Sequence, residues 1–333
     1  MKLVTFIRGP STRIGVVDGD EVVDLSASGL PGDMIALLAG GADSMGAARK
    51  AAAGRTARVA LGDVRLAAPV PRPPKFLAIG LNYADHVKES GMTPPPVPVF
   101  FNKQSTCVTG PYDPIHLPRV SPLLDYEGEL AFVIGRRCRH VPRERAQEVI
   151  AGYLVANDVS VRDWQLRTPT MTMGKSFDTH GPMGPWLVTP DEVGDPHALE
   201  LRTWVNGELR QHSNTRELIF DCFAQVAHLS AAFTLEPGDV VTTGTPSGVG
   251  GAMQPPRFLQ AGDVVKVEIE RIGAIENRAR TESVGADGLR EEGFATKHRD
   301  GVPRHRRRTT YPGFDKPAGL LANPDEISGQ TES

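Results

Sequence analysis

Alternating apolar and polar residues predict short β-strands along most of the chain. Near the start, short apolar runs flank Asp18-Gly19, and an Asp-Gly pair between such runs indicates a β-hairpin. From residue 75 onward, Gly or Pro turns separate further strand-like segments, and Asn206-Gly207 marks a second hairpin. These segments are KFLAIGLNY, DYEGELAFVIG, GYLVANDVS, GPWLVT, LELRTWVNGELRQHS, DVVTTGT and DVVKVEIERIG.

A few segments have helical character instead. They are residues 33–53, with a break at Gly40-Gly41, the polar stretch 84–90, and the segments 142–151 and 215–233. Because strands bounded by Gly or Pro form the majority, the pattern predicts a β-rich α+β fold.

Changes in composition divide the chain into three parts. The Pro-rich stretch AAPVPRPP, residues 67–74, predicts an extended linker, so residues 1–70 are expected to form a small N-terminal α+β domain. Residues 71–282 form the predicted main domain. From residue 283 to 333 the sequence has no sustained periodicity and is rich in charge, Gly and Pro, which predicts a disordered tail.

Composition and charge exclude several classes of protein. The 333 residues are 40% hydrophobic and 23% charged, which is typical of globular proteins and excludes collagen and coiled coils. No apolar run approaches the ~20 residues that span a bilayer, and the N-terminus has no signal-peptide pattern. The net charge of −3 argues against a dedicated nucleic-acid binder. Three scattered cysteines without a CxxC pair indicate reduced thiols and a cytoplasmic location.

Three carboxylates provide a candidate metal site. Glu127 and Glu129 begin the apolar run ELAFVIG, and on a strand residues two apart point to the same side. Asp158 ends the apolar strand GYLVAND. Oxygen ligands without His or Cys nearby in the sequence favour Mg²⁺ or Mn²⁺. Surface carboxylates on an edge strand are the alternative interpretation.

A histidine and a glutamate form a candidate general base. His86 and Glu89 are three residues apart in ADHVKES and would be neighbours on a helical turn. The carboxylate would fix the imidazole tautomer and raise its basicity. A surface histidine on a short polar helix is the alternative.

Two further segments carry candidate binding groups. In the polar stretch after Asp158, Arg162 and Lys175 could neutralise a substrate carboxylate or an enolate. Ion pairs with Asp163 and Asp178 are the alternative. The segment GTPSGVG, residues 244–250, lacks the Lys-Ser/Thr of a phosphate-binding loop. Its glycines and Thr245 could donate hydrogen bonds to a carboxylate, or the segment could be a simple turn.

Taken together, five motifs resemble the fumarylacetoacetate hydrolase family over about residues 75–280. In order they are GLNYADHVKES, DYEGELAFVIG, NDVSVRDWQ, GKSFDTHGPMGPWLV and GDVVTTGTPSGVG. The resemblance implies mixed β-sheets rolled around a metal site, one Mg²⁺ or Mn²⁺ per subunit, and a homodimer. The first 70 residues are similar to the small N-terminal domain of many bacterial members.

The resemblance also implies roles for individual residues. Glu127, Glu129 and Asp158 match the metal-binding carboxylates. His86 and Glu89 match the water-activating pair on a lid helix, and Lys175 matches a catalytic lysine near the metal. The substrate-contacting positions of the family are matched by Arg162, Gln165 and Thr245.

The expected activity is metal-dependent hydrolysis of a C–C bond in a β-diketo acid such as an acylpyruvate or fumarylpyruvate, as in aromatic catabolism. A small 2-oxo or diketo acid is therefore the expected partner, with no nucleic acid and no membrane. Decarboxylation, isomerisation, hydration or dehydration of a 2-oxo acid at the same site is the alternative. A third hypothesis is a non-enzymatic scaffold that binds a polyanion through the basic residues Arg304, Arg306, Arg307 and Arg308.

Overall fold

A computed structural model describes residues 1–54 and 57–282, which belong to one compact unit. Its strands are β1 (Lys2–Arg8), β2 (Ser11–Asp18), β3 (Glu21–Asp24), β4 (Arg58–Ala60), β5 (Arg65–Ala67), β6 (Phe76–Gly80), β7 (Val99–Lys103), β8 (Val108–Thr109), β9 (Ile115–Leu117), β10 (Leu124–Asp125), β11 (Gly128–Ile134), β12 (Ile150–Asn157), β13 (Ser160–Val161), β14 (Gly181–Val188), β15 (Glu200–Val205), β16 (Glu208–Asn214), β17 (Val240–Thr242), β18 (Val264–Ile269) and β19 (Gly273–Thr281).

The α-helices are short. They are α1 (Met34–Ala39), α2 (Gly41–Ala53), α3 (Ala84–Ser90), α4 (Arg162–Gln165), α5 (Pro190–Val193) and α6 (Cys222–Ala232). Single 3₁₀ segments cover Leu25–Ser28, Leu61–Asp63, Ser105–Cys107, Arg143–Val149, Thr215–Glu217 and Gly250–Ala252. Within the described ranges, no helix has the length and apolar character needed to cross a bilayer.

The strands form two main sheets. The large sheet has the order β4-β3-β2-β1-β14-β12-β11-β17-β6-β7, with β5 beside β1 and β8 beside β14. The second sheet has the order β16-β15-β18-β19-β9, and β10 pairs with β13. Most neighbours are antiparallel, but three pairs are parallel: β17 with β6, β19 with β9, and β14 with β8. The predicted β-rich α+β class is thus confirmed.

Strand β11 is buried on both faces, which explains the uninterrupted apolar run in its sequence. Leu130 and Phe132 pack in the core that includes residues of β15 and β18. Ala131 and Val133 belong to a second core, which includes Leu37 of α1. The strand can therefore place a carboxylate at its start in surroundings that exclude water.

Both predicted hairpins are present. β2 and β3 are antiparallel and joined at Gly19, whose φ is +60°. β15 and β16 are joined at Asn206-Gly207, with φ of +52° and +81°. Two positive φ values in a two-residue turn are what an Asn-Gly sequence accommodates.

The helix predictions are confirmed in part. The segment 33–53 forms two helices because Gly41 has a φ of +60°, which ends the first helix and begins the second. The segment 142–151 contains a 3₁₀ segment and no α-helix. The helix predicted over 215–233 begins only at Cys222, because the Asp221 carboxylate caps it by accepting from Ala224 N.

The first strands of the chain join the large sheet. β1 pairs with β14, where Lys2 lies opposite Val188, and β5 pairs with β1. A domain boundary near residue 70 stays a prediction. The predicted tail at 283–333, with its arginine cluster, lies outside the described residues.

Candidate metal and substrate site

Three buried carboxylates meet where β11 begins and β12 ends. The two strands are antiparallel with Gly128 opposite Asn157, so Asp158 follows β12 at the level of Glu127. Asp158 N donates to Glu127 O at 2.8 Å, which fixes this arrangement. One carboxylate oxygen from each of Glu127, Glu129 and Asp158 lies within 4.8 Å of the others. The side-by-side placement predicted from the sequence is thus observed in the structure.

Glycine at position 128 allows the two sheets to approach behind this cluster. A Cβ at Gly128 would lie 2.2 Å from Thr203 Oγ1 and 3.0 Å from Val267 Cγ1, on β15 and β18. Gly128 N donates to Gln211 Oε1 at 2.9 Å. The small residue between the glutamates therefore serves packing, while their side chains point to the opposite face.

Two buried lysines contact the carboxylates. Lys175 Nζ lies 2.6 Å from Glu127 Oε2 and 2.9 Å from Asp158 Oδ2. Lys103 Nζ lies 2.5 Å from Asp158 Oδ1 and also donates to the backbone oxygens of Lys175 and His180. Asp158 therefore has an ammonium group on each oxygen.

Arg162 is bound on the other side of Glu127. Its NH1 lies 2.5 Å from Glu127 Oε1 and 2.9 Å from Gln165 Oε1, and its Nε lies 2.8 Å from Asp125 Oδ2. These contacts are with protein groups, so Arg162 orients the Glu127 carboxylate. A direct contact between Arg162 and substrate stays a prediction. Gln165 is held against Arg162.

The pKa values of the two glutamates move in opposite directions. Burial would raise the pKa of Glu127, but the charges of Lys175 and Arg162 outweigh it and hold that pKa at about 2. Burial raises the pKa of Glu129 well above its ordinary value, and the negative charges of Asp158 and Glu127 add to the effect. Among the three carboxylates, Glu129 is therefore the one whose negative charge is least compensated by nearby positive charges.

A close backbone approach gives Glu129 its hydrogen-bond donor. Gly244 N donates to Glu129 Oε2 at 2.9 Å. Gly244 has a φ of +105°, and a Cβ there would lie 2.8 Å from Asn82 Cβ. The first glycine of the GTPSGVG segment is therefore required by conformation and by space.

A divalent cation fits this donor set. The connected network contains four carboxylates and three cationic side chains, which leaves one uncompensated negative charge when every group is ionised. The carboxylates are those of Asp125, Glu127, Glu129 and Asp158, and the cations are Lys103, Lys175 and Arg162. A buried surplus of negative charge is costly, and oxygen ligands suit Mg²⁺ or Mn²⁺. Glu127, Glu129 and Asp158 are the residues that could hold the ion.

Helix α3 carries the predicted base and is held by hydrogen bonds near both of its ends. His86 Nδ1 lies 3.2 Å from Glu89 Oε2, as predicted from their spacing. Glu89 Oε1 accepts from Gly248 N at 2.9 Å, and Asp85 Oδ2 accepts from Ser213 Oγ at 2.9 Å. A proton on Nδ1 facing Glu89 leaves Nε2 free to act as a base. The GTPSGVG segment donates to Glu129 through Gly244 N and to Glu89 through Gly248 N, so α3 and the carboxylate cluster contact the same loop.

The Thr245 hydroxyl is engaged by protein groups. Its Oγ1 donates to Gly128 O at 3.0 Å and accepts from Gln211 Nε2 at 2.8 Å. These bonds join the GTPSGVG loop to the strand that carries the glutamates. A direct contact between Thr245 and substrate stays a prediction.

Three residues of this network were missed by the sequence analysis. Lys103 ends the apolar strand β7, and a single lysine at the end of an apolar strand indicates a candidate partner for the buried carboxylates. Asp125 precedes Glu127 by two residues, so the alternation that pairs Glu127 with Glu129 extends to it. Gln211, which braces Gly128 and Thr245, had no comparable signal because its neighbours in sequence are ordinary strand residues.

This chain is similar to known proteins over most of its length. The family model described as fumarylacetoacetate (FAA) hydrolase C-terminal matches residues 75–280. A mitochondrial oxaloacetate tautomerase of Xenopus laevis is 44% identical over 285 residues, which cover 83% of this chain and 89% of the relative.

Two solved structures illustrate the range of activities. Maleylpyruvate hydrolase from Sphingobium sp. SYK-6, in complex with manganese(II) and pyruvate, has 36% identity and a TM-score of 0.72. The 5-carboxymethyl-2-hydroxymuconate delta-isomerase from Mycobacterium smegmatis has 36% identity and a TM-score of 0.69. Each match covers 85% of this chain and 100% of the other.

Proposed function

The chain belongs to the fumarylacetoacetate hydrolase family, and on this basis we propose that it interconverts the keto and enol forms of an oxaloacetate-like 2-oxo acid. The proposed cofactor is one Mg²⁺ or Mn²⁺ per subunit, held by Glu127, Glu129 and Asp158. The single observation that carries the proposal is the pairing of His86 with Glu89, which leaves a free imidazole nitrogen on a helix that contacts the same loop as Glu129. The 44% identity to an oxaloacetate tautomerase favours this reaction within the family.

Proton transfer by His86 would perform the reaction. Nε2 takes a proton from the carbon next to the keto group, and the C–H electron pair becomes the new C=C bond. The negative charge moves to the keto oxygen, which would receive the proton back from the His86 imidazolium and become the enol hydroxyl, so the base is regenerated. The Glu89 carboxylate stabilises the imidazolium while it holds the proton.

Lys175 would stabilise the charge on the substrate oxygen. Burial lowers the pKa of this lysine, but Asp158 and Glu127 more than offset burial, so the pKa is raised and the ammonium stays charged. An ammonium has three donors, and Glu127 and Asp158 use two of them. The third is available to a substrate oxygen. When bound, the divalent cation would supply Lewis-acid polarisation of the 2-oxo acid.

Hydrolysis of an acylpyruvate-type substrate is the second candidate function. It is favoured by the similarity to a maleylpyruvate hydrolase in complex with manganese(II) and pyruvate. The same His86 nitrogen would then take a proton from water, whose oxygen attacks the distal carbonyl. The C–C bond would break with its electron pair going to the 2-oxo acid as an enolate, which the imidazolium proton then neutralises, leaving the acid and pyruvate.

We further propose a homodimer and a role in aromatic catabolism, both on the basis of the family resemblance. The cytoplasmic location rests on cysteine usage, whereas the Xenopus laevis relative is named as mitochondrial.

The first experiment compares two substrates. Full-length protein with Mg²⁺ or Mn²⁺, or with chelator, is mixed with enol oxaloacetate in one arm and acetylpyruvate in the other. NMR in D₂O follows deuterium entry at the carbon beside the keto group and the products formed. Metal-dependent enol loss with no pyruvate supports the tautomerase. Formation of pyruvate and acetate from acetylpyruvate would show hydrolysis and overturn the tautomerase proposal. Formation of pyruvate from oxaloacetate would indicate decarboxylation.

A further inference from the structure

A basic groove lies beyond the end of β11 that is remote from the carboxylate site. Two adjoining cavities of about 720 Å³ and 280 Å³ share Arg136, Arg137, Glu148 and Val149 in their walls. Gly135, which lines the larger cavity, is six positions along the strand from Glu129. At ~3.3 Å per residue this separation is about 20 Å, so the groove is distinct from the carboxylate site.

Positive charge is concentrated around this groove. Among the described residues, five arginines and one carboxylate, that of Glu148, line the two cavities. The arginines are Arg49, Arg136, Arg137, Arg139 and Arg145. Three of them have carboxylate partners: Arg49 pairs with Asp191, Arg137 with Glu236 and Arg145 with Glu148. Arg136 and Arg139 therefore carry the excess of positive charge. The whole chain has a net charge of −3, so this excess is local and not a reflection of overall composition.

The arginines differ in how firmly they are engaged. Arg145 makes two bonds to Glu148, at 2.9 and 2.8 Å, while Arg137 contributes only Nε, at 3.0 Å, to Glu236. In residues 1–54 and 57–282, Arg136 makes no hydrogen bond or ion pair. Its guanidinium lies between the two cavities with its donors free. A free guanidinium beside a singly bonded one is suited to an oxyanion.

The larger cavity adds an apolar wall. Leu38, Ala42 and Met45, from the α1–α2 region, line it together with Val149 and Pro237. Ala42 and Met45 are the more exposed of the three α1–α2 residues, since Leu38 is buried in the core. The volume lies within the ~300–1,000 Å³ of small-molecule sites. A ligand that filled the whole groove would have an uncharged, partly apolar ring or chain at one end and a group with several negative charges at the other.

We propose that this groove is a binding site for a nucleoside diphosphate. Its phosphates would lie on Arg136 and Arg137, and its base would lie against Ala42 and Met45. Arginine forks match phosphate oxygens, and a diphosphate has the multiple charge that this concentration of arginines favours. The proposal is independent of the reaction at the carboxylate site.

The test uses ADP and the full-length protein in Mg²⁺ buffer. Calorimetry compares wild type, the double variant R136Q/R137Q and the control R280Q, which alters an exposed arginine of β19. Hydrogen exchange maps protection with and without ADP. We expect at least about tenfold weaker binding for the double variant only, since bonds to charged groups are the stronger ones, with protection in 38–49 and 135–151.

Several results would overturn the proposal. They are the absence of ADP binding, equal binding by R136Q/R137Q, and protection confined to the segments around Glu127 and Asp158. Adenosine and a short single-stranded oligonucleotide are titrated in parallel. Equal affinity for adenosine would remove the role of the phosphates, and preference for the oligonucleotide would assign the arginines to nucleic acid instead.

Discussion

The Lys103 ammonium lies 2.5 Å from Asp158 Oδ1, and both side chains are shielded from solvent. Lys103 also donates to the backbone oxygens of Lys175 and His180, so one side chain connects β7 to two sides of the site. Its role is to position Asp158 and the loop that carries Lys175.

Replacing Lys103 by Met is expected to destabilise the protein by about 3–5 kcal/mol, because it removes one of the two ammonium groups that compensate the buried Asp158. It also leaves the backbone oxygens of Lys175 and His180 without this donor. Urea unfolding measures the change. The control K266M removes a partly exposed pair with Glu268, which should contribute about 0–1 kcal/mol. Similar losses in the two variants would contradict the role given to Lys103.

Substituting Gly128 by Ala is expected to cost about 1–3 kcal/mol, because its Cβ would overlap Thr203 Oγ1 and force the sheets apart. The control is Gly46→Ala in α2, where a Cβ meets no atom within 4 Å and alanine should stabilise the helix by about 0.5–1 kcal/mol. Thermal unfolding of the two variants should therefore shift in opposite directions. A neutral Gly128→Ala would contradict this account of the packing.

Glu129 allows the metal site to be tested without measuring activity. In Glu129→Gln the buried negative charge is removed, so the metal-free protein should be at least as stable as wild type. The stabilisation by added Mn²⁺ should be lost, because a carboxylate ligand is missing. Thermal unfolding with and without Mn²⁺ measures both effects. Equal stabilisation of the variant and wild type by Mn²⁺ would exclude Glu129 as a ligand.

How far the sequence predicts this molecule can be seen at particular residues. Glu127, Glu129 and Asp158 were paired correctly because strand alternation and strand ends are local properties. His86 and Glu89 were paired because helical spacing is also local. By contrast, Lys103 reaches Asp158 across 55 positions of the chain. Such a contact depends on the order of strands in the sheet, which no local pattern specifies.

The α6 helix shows the same limit in secondary structure. The apolar pattern over 215–233 suggested one helix, but Asp221 caps the helix and the preceding residues form a 3₁₀ segment. Asn82 contributes to this choice, since its side chain accepts from Phe220 N and donates to Phe220 O. That contact crosses 138 positions, so the start of the helix is fixed by tertiary structure.

His86→Gln should lower kcat by about 10²–10⁴-fold, because general base catalysis contributes that much. Its fold and its stabilisation by Mn²⁺ should be unchanged, since His86 is not among the proposed ligands. The control His228→Gln alters an exposed histidine of α6 and should keep full activity. Initial rates of enol oxaloacetate conversion measure the effect. Activity of His86→Gln within about twofold of wild type would remove His86 as the base.

His180 should make stability depend on pH. Burial lowers the pKa of its imidazole from the ordinary 6.5 to about 3, although its ring nitrogen Nε2 lies 2.8 Å from His116 O. The folded state therefore keeps His180 neutral below pH 6.5, while the unfolded state binds a proton. Stability falls as the pH drops from about 6.5 towards 3, and above 6.5 this group contributes nothing.

The size of this effect follows from the two pKa values. Between pH 7.5 and 5 the His180 term should remove about 2 kcal/mol of the free energy of unfolding. In His180→Gln the amide can still donate to His116 O but does not titrate, so the variant should lose about 2 kcal/mol less over this range. Urea unfolding at several pH values measures the difference, and carboxylates common to both proteins cancel. The control His228→Gln should follow wild type, and a His180→Gln curve parallel to wild type would show that the buried imidazole is not the source.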